Sequence, residues 1–467
     1  MNQTITLRTT VLLVLFSFVF LTGRTQQIPT STLVGWNQLK TVLAQIKAPV
    51  FPAKDFSIFN YGAKGDGTTD CTEAFKKAID ACNKAGGGRV VVPDGDFLTG
   101  AIHLKSNVNL FLSDKATIKF SIDPNKFLPV VFTRFESTEC YNYSPLVYAI
   151  GQQNIAVTGK GKLDGQADNN SWWGWKGTKD PLAKNQTASV KALNKMGDDG
   201  VAVEKRIFGD GHYMRPNFIQ FVKCKNILIE GVSIIRSPMW EINPVLSENI
   251  TVQNVKINSL GPNNDGCDPE CCKNVLIKNC DFSTGDDCIA IKSGRNNDGR
   301  RVNVPSENIV IQDCRMNDGH GGVVIGSEVS GSVRNVWAEN CTMDSPNLDR
   351  ALRIKTNSVR GGTIENIFLR NVKVGQVNEA VILVSFTYQE GDTGKFTPIV
   401  RNIFVSNVTS EKSEYGLLFD CYERSPLTNV VIENCKFNGV KSNNLMKFTK
   451  DLTFKDFYIN GKLVNVN

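Results

Sequence analysis

The chain has 467 residues, 41% of them hydrophobic and 21% charged, with a formal net charge of +7 at pH 7. This composition excludes a disordered or fibrous protein and leaves ample apolar material for a core. No basic run interleaved with aromatic residues occurs, so nucleic acid is not an expected partner. The modest positive charge fits a polyanionic ligand or an ordinary surface equally well.

At the N-terminus, Arg8 precedes an unbroken apolar run from Val11 to Leu21, followed by Thr22-Gly23 and a polar stretch. The run is short for a membrane span, and no later segment is apolar enough to stop transfer. A signal peptide over residues 1–25 is expected, cut near Thr22 to Gln26, then an N-terminal extension over 26–55 and a single domain over 56–467. Loss of Arg8 and Arg24 with the leader lowers the net charge by two. The mature product is expected to be soluble and monomeric, secreted or in a periplasm or cell wall, with no membrane association.

Residues Tyr61 to Gly67 are turn-rich. Thr72 to Lys84 then reads as a helix with Ala74, Phe75, Ala78, Ile79 and Cys82 on one face, closed by Gly86-Gly87-Gly88 and followed by a strand from Arg89 to Pro93. The long stretch Asp164 to Arg215 holds Trp172, Trp173 and Trp175, which suit either a sugar-stacking wall or an apolar plug.

From there one phrase recurs: Asn, two or three alternating apolar residues, a polar pair, then Cys, Val or Gly. It begins at Asn226, Asn249, Asn274, Asn308, Asn335, Asn366, Asn402 and Asn429, at intervals of 23 to 36 residues, with an earlier copy at Asn154. Each copy is a short strand with period-two alternation. No ten-residue helical pattern separates the copies, which argues against a leucine-rich horseshoe or a β/α barrel. A strand that cannot bury its apolar face alone must stack on its neighbours. The predicted fold is therefore all-β, a right-handed single-stranded parallel β-helix with rungs about 4.8 Å apart, and the helix over Thr72–Lys84 is its N-terminal cap. Irregular repeat length means loops bulge from particular turns and shape a cleft.

Cys280, Cys314, Cys341 and Cys435 each stand six residues after the leading Asn, so they are expected to stack as a buried ladder rather than a metal site. Thirteen cysteines leave at least one unpaired. In an exported protein, Cys271-Cys272 and their neighbours are candidates for disulfides. Acceptor sequences for N-glycosylation stand at Asn142, Asn169, Asn185, Asn249, Asn340 and Asn407, several of them inside strands.

Between Leu260 and Lys355 polar residues crowd the places where the repeat should turn: Asn263-Asn264-Asp265-Gly266-Cys267-Asp268, Gly285-Asp286-Asp287-Cys288, Gly319-His320-Gly321-Gly322 and Arg353-Ile354-Lys355. Asp265 lies 21 and 22 residues before Asp286 and Asp287, one short rung, which places the three carboxylates about one strand spacing apart. Mutual repulsion and desolvation should hold one of them protonated. A protonated acid beside ionised carboxylates is what hydrolysis of a glycosidic bond requires. Arg353 and Lys355 alternate on a strand and face the same side, where they suit anionic substrate groups. His320 is one of three histidines and is exposed by flanking glycines; His103 and His212 lack such company. Asp265, Asp268, Glu270, Asp286 and Asp287 could instead gather a Ca²⁺ ion, although Arg353 and Lys355 would sit poorly beside it.

These four motifs, in this order, resemble the polygalacturonase family of pectin-degrading glycoside hydrolases, from Phe56 onward and most densely from Gly261 to Gly362. The resemblance implies a pectin-lyase-like solenoid and inverting hydrolysis of α-1,4-linked galacturonate, an acidic polysaccharide, without metal or other cofactor. It casts Asp286 as general acid, Asp265 and Asp287 as activators of water, and His320 as support for the acid. Arg353 and Lys355 would hold uronate carboxylates, and Tyr388 would serve a product-side subsite. Asn264 stands where the family commonly has Thr. The long stretches 164–215 and 294–305 favour closure of one cleft end and exo action. Rung spacing near 5 Å leans towards retention, since inverting enzymes typically hold their carboxyls about 6.5–9.5 Å apart, whereas the resemblance implies inversion. A hydrolase of rhamnogalacturonan, a calcium-dependent pectin lyase and a non-catalytic β-helix binding protein are the alternatives.

Overall fold

The computed structural model describes residues 35–177 and 184–465; the expected signal peptide lies outside them. The recurring phrase forms one lane of a right-handed parallel β-helix. Ile155, Ile227, Ile250, Val275, Ile309, Val336, Ile367, Ile403 and Val430 sit in register on successive strands as a single buried column. Such a column explains the period-two pattern: each apolar residue covers the one on the rung below. This lane and a second parallel one compose a 23-stranded sheet.

The leading asparagines serve the turns. From Asn154 to Asn429 they adopt left-handed backbone, with φ between 54° and 61°, a conformation Asn tolerates better than other non-glycine residues. Their amides bond rung to rung: Asn308 to Asn274 at 2.9 Å, Asn335 to Asn308 at 3.2 Å, Asn366 to Asn335 at 3.0 Å and Asn402 to Asn366 at 2.9 Å. A second ladder joins Asn340, Asn371, Asn407 and Asn434. Asn249 and Asn407 donate their amide nitrogens to Asn226 and Asn371 in these ladders, and Asn340 accepts from Asn371.

The helix Thr72–Lys84 buries the five residues expected, against the first rungs. At the far end the last strand, Thr449–Ile459, turns back on itself through an antiparallel pairing with Lys462–Leu463. All thirteen cysteines are buried free thiols, which corrects the expectation of disulfides around Cys271-Cys272. Those two side chains serve different neighbours: Arg134 Nη1 lies 3.2 Å from Cys271 Sγ, while Cys272 Sγ packs on the Pro244 carbonyl. Cys280, Cys314, Cys341 and Cys435 line the core as the spacing predicts.

Three elements were not signalled by the sequence pattern. A helix over Leu39–Gln45 docks Leu39 and Val42 onto Val310, Trp337 and Phe368, outside the long lane. The helices Thr187–Asp198 and Asn296–Val302 occupy the two long stretches and meet through Asn297 Nδ2, which donates to the Asp198 carbonyl at 2.6 Å. Of the tryptophans, Trp172 is 1% exposed and packs edge-on against Phe127 and Trp175, so it belongs to an apolar plug.

Candidate active site

A third lane carries the polar motifs. It runs through Ile242–Val245, Asp287–Ile291, Gly321–Gly326, Arg350–Lys355 and Ala380–Ser385. The segment holding Cys267 and Glu270 fills the gap between the first two through isolated bridges. Asp265 therefore leaves the lane one rung before Asp287. Its turn is fixed by Asn264, fully buried, which accepts from Ser259 Oγ (2.7 Å) and Gly261 N (3.0 Å) and donates to the carbonyls of Ser237 and Met239. The Asn in place of Thr is a scaffold for that turn. Arg215, buried in the long insertion, clamps it from outside through Pro262 O (2.7 Å) and Asn263 Oδ1 (2.8 Å).

His320 is tied twice to Asp286. Its backbone N–H donates to the Asp286 carbonyl (2.9 Å), and its Nδ1 lies 2.9 Å from Asp286 Oδ1. The first bond needs Gly319 beside it: φ is 143°, and a Cβ there would stand 2.4 Å from the same carbonyl oxygen.

The rungs bring one carboxylate oxygen each of Asp265, Asp286 and Asp287 within 4.8 Å of one another. Their environments differ. Burial, then repulsion from Asp268 and Asp286, pushes Asp265 well above the usual carboxylate range despite Lys292. Asp286 goes the other way: burial opposes ionisation, but the His320 hydrogen bond and the charges of Lys355, His320 and Lys292 outweigh it. The His320 imidazole is raised in turn, chiefly by its bond to Asp286. Burial and repulsion thus favour a proton on Asp265 while Lys292 opposes them, and within the other pair the proton is drawn to His320 rather than to Asp286.

Asp287 is fully buried and paired with both cations, Arg353 Nη1 at 3.1 Å and Lys355 Nζ at 2.6 Å. Tyr388 stands beside them, its ring 5.5 Å from the Arg353 guanidinium and 5.1 Å from the Lys355 ammonium. A divalent cation would compete here with three side-chain cations, because Lys292 also stands 3.7 Å from Asp265 Oδ2. Nor do the other proposed Ca²⁺ ligands converge: Glu270 is taken by Arg134 at 2.7 Å, and Asp268 faces Lys292. His103 and His212 lie elsewhere, against Ser144 and Ser189.

Sequence reasoning missed a layer of buried charge beneath these residues, apart from Asp268, which it considered only as a Ca²⁺ ligand. Lys292 is 3% exposed and Glu328 7%, while Glu241 and Asp268 are completely buried. Burial first, then the charges of Asp268 and Asp286, drives Glu241 well above its ordinary value. The cleft above is a cavity of about 520 Å³ lined by Asp265, Asp286, Lys292, Glu328, Lys355 and Tyr388 on its floor. Gln186, Thr187, Val190, Lys191 and Asn194, from the start of the helix Thr187–Asp198, wall it on one side.

Fold and cleft together define a parallel-β-helix glycoside hydrolase. Residues 204–454 match the Glycosyl hydrolases family 28, more than half of the chain, and the chain belongs to that family. Residues 56–121 match a second family, Rhamnogalacturonase A/epimerase, pectate lyase-like. The chain is 47% identical to a hyperthermoactive exopolygalacturonase from Thermotoga maritima of known structure, with a TM-score of 0.90 over 92% of this chain and 97% of that one. It is 28% identical over 438 residues to the exo-poly-alpha-D-galacturonosidase of Dickeya chrysanthemi (86% of this chain, 71% of the relative). It is 27% identical over 397 residues to a probable polygalacturonase of Vitis vinifera (82% and 74%). No helix among the described residues is long and apolar enough to cross a membrane.

Proposed function

We propose that the protein hydrolyses α-1,4-galacturonosidic bonds of polygalacturonate from a chain end, with inversion, as an exported enzyme. The observation that carries this reading is the convergence of Asp265, Asp286 and Asp287 within 4.8 Å on neighbouring rungs, beneath a cationic shelf of Arg353 and Lys355. Asp286 delivers the proton to the leaving oxygen, and His320 stores that proton in the resting pair. Asp265 and Asp287 hold one water between them: two acceptors no more than 4.8 Å apart are within the span of a single water making two hydrogen bonds of about 2.8 Å. The shared water is what favours inversion over a covalent intermediate, despite a spacing shorter than the usual inverting range. Asp287 is moreover engaged at both oxygens by cations and is a poor nucleophile.

Arg353 and Lys355 offer the planar fork and point charge that bind a uronate carboxylate, and Tyr388 lines the same wall for the product side. Exo action is supported by the two inserted helices packed together beside the cleft and by the exo-acting relatives. The match to rhamnogalacturonase lies on the first rungs, far from the acids, and does not speak for a branched substrate.

The test is digestion of unesterified polygalacturonate in chelator and heavy-oxygen water, followed by mass spectrometry. Saturated, labelled monomer is the expected product. Mixed oligomers would replace exo with endo action, and unsaturated products would overturn hydrolysis. NMR of the first-formed anomer decides between inversion and retention.

A further inference from the structure

Lys292 is the buried cation that the reading above leaves without a task. It ends the strand Asp287–Ile291, and its backbone is pinned on both sides: its N–H donates to Pro269 O, and its carbonyl accepts from Cys271 N and Ser306 Oγ. The side chain crosses the Trp240 ring at 4.5 Å. Its ammonium stands 3.4 Å from Glu328 Oε2 and 3.7 Å from both Asp265 Oδ2 and Asp268 Oδ2. Asp265 has no other ion-pair partner among the described residues, and its Oδ1 accepts no hydrogen bond.

We propose that Lys292 is a positioning residue for hydrolysis: fixed between Asp268, Glu328 and Trp240, its ammonium holds Asp265 in place as an acceptor for the attacking water and offsets part of the repulsion from the neighbouring acids. The inference rests on the role assigned to Asp265 above.

Asp265 faces Asp268 from its own segment, Asp286 and Asp287 from the next rung, and Arg215 from the insertion. Lys292 additionally faces Glu328, itself shared with Arg295 and influenced by Lys355. Acids outnumber cations around Asp265, so burial and repulsion favour its neutral form. A neutral carboxyl cannot accept the proton of a water. Lys292 is the nearest counter-charge, and the same acids hold its own proton far beyond the working range. Its 3.7 Å stand-off is too long for a hydrogen bond, which leaves the Asp265 oxygens free for water.

The experiment compares K292M and K292Q with the full-length enzyme on trigalacturonate across pH 3.5–8. Methionine keeps the packing on Trp240, and glutamine keeps a polar head if methionine prevents folding. The acid limb of kcat/KM should move up by about one pH unit or more, as expected when an opposite charge within about 4–6 Å is removed. At the wild-type optimum kcat should fall about tenfold or more, while KM stays within about threefold. K292R, which retains the charge, should leave the acid limb in place. An unmoved limb in K292M and K292Q, or a raised KM with unchanged kcat, overturns the proposal; the latter would make Lys292 a substrate ligand. D265N separates the two levels: if it stays active the role of Asp265 fails, whereas an inactive D265N with an unmoved K292M limb sinks only the inference about Lys292.

Discussion

Replacing His320 with Ala tests where the leaving-group proton resides. The imidazole touches Asp286 through one charge-assisted contact of 2.9 Å and is itself half exposed, at 52% of its side-chain surface. Such a bond contributes about 1.5–3 kcal/mol, and exposure argues for the lower end because solvent screens the pair. At the acid optimum the variant should therefore lose about tenfold in kcat. The pH profile carries the sharper information. In the native protein His320 titrates above its ordinary 6.5, raised by its bond to Asp286 and by the charges of Asp286, Asp287 and Asp349, so the alkaline limb should stand above that value. Without the imidazole, Asp286 drifts up from its depressed position but remains an ordinary carboxyl flanked by Lys355 and Lys292. Asp286 then has no partner that keeps a proton for it into the neutral range. The alkaline limb should collapse into the acid range, and the deficit should grow about tenfold per pH unit between the two limbs. Reducing-end release from trigalacturonate between pH 4 and 8 measures it. A uniform deficit with an unmoved alkaline limb would refute proton storage and leave His320 as a spacer.

The asparagine ladder makes a stability prediction. Asn335→Ala removes two amide bonds (3.2 and 3.0 Å) and places alanine at φ 59°, for a loss of about 2–3 kcal/mol; Asn335→Gly should recover about 1 kcal/mol of it, readable as urea midpoints. Glu241→Gln should stabilise the protein at pH 7 and have little effect near pH 4. The raised folded pKa of Glu241 means that its favourable contribution is complete below about 4.5 and declines by about 1.4 kcal/mol per pH unit above it, so the gap in thermal midpoint should widen with pH. Excess EDTA should leave turnover unchanged, because side-chain cations already sit against Asp265 and Asp287; activity lost in chelator and restored by Ca²⁺ would refute that assignment.

The parts of the fold legible in the sequence are those that repeat. A left-handed turn on every rung calls for the same residue type each time, so Asn recurs, and a stacked column calls for an aliphatic residue two positions on. The motifs of the candidate site were legible because Asp265, Asp286-Asp287, His320 and Arg353-Ile354-Lys355 interrupt that rhythm where a turn is due. Lys292 was not: Ile289-Ala290-Ile291-Lys292 reads as an ordinary strand running into solvent, and only the rungs before and after it reveal that its ammonium is buried. Glu241 hides in the same way. The helix Leu39–Gln45 is too short to declare a period and takes its stability from Trp337 and Phe368, some 300 residues away in the chain. Cysteine spacing located a stack but could not reveal that no two cysteines are bonded to each other, since pairing depends on directions that only the backbone defines.

The two ends of the solenoid are closed unequally, and this sets an order of loss on heating. A stack held by nearest-neighbour contacts opens from whichever end is weaker. At the N-terminal end a 13-residue helix seals five buried side chains against the first rungs. At the other, the strand Thr449–Ile459 fully buries only Phe457 and has a two-residue hairpin for cover. Unzipping should therefore begin at the C-terminus and travel inward, reaching the strands that carry Asp265 to Lys355 only after Leu427–Phe437, Ile399–Lys412 and Thr363–Gln376 have let go. Early loss of sheet signal can then precede loss of turnover, and the working centre outlasts the tail of the molecule.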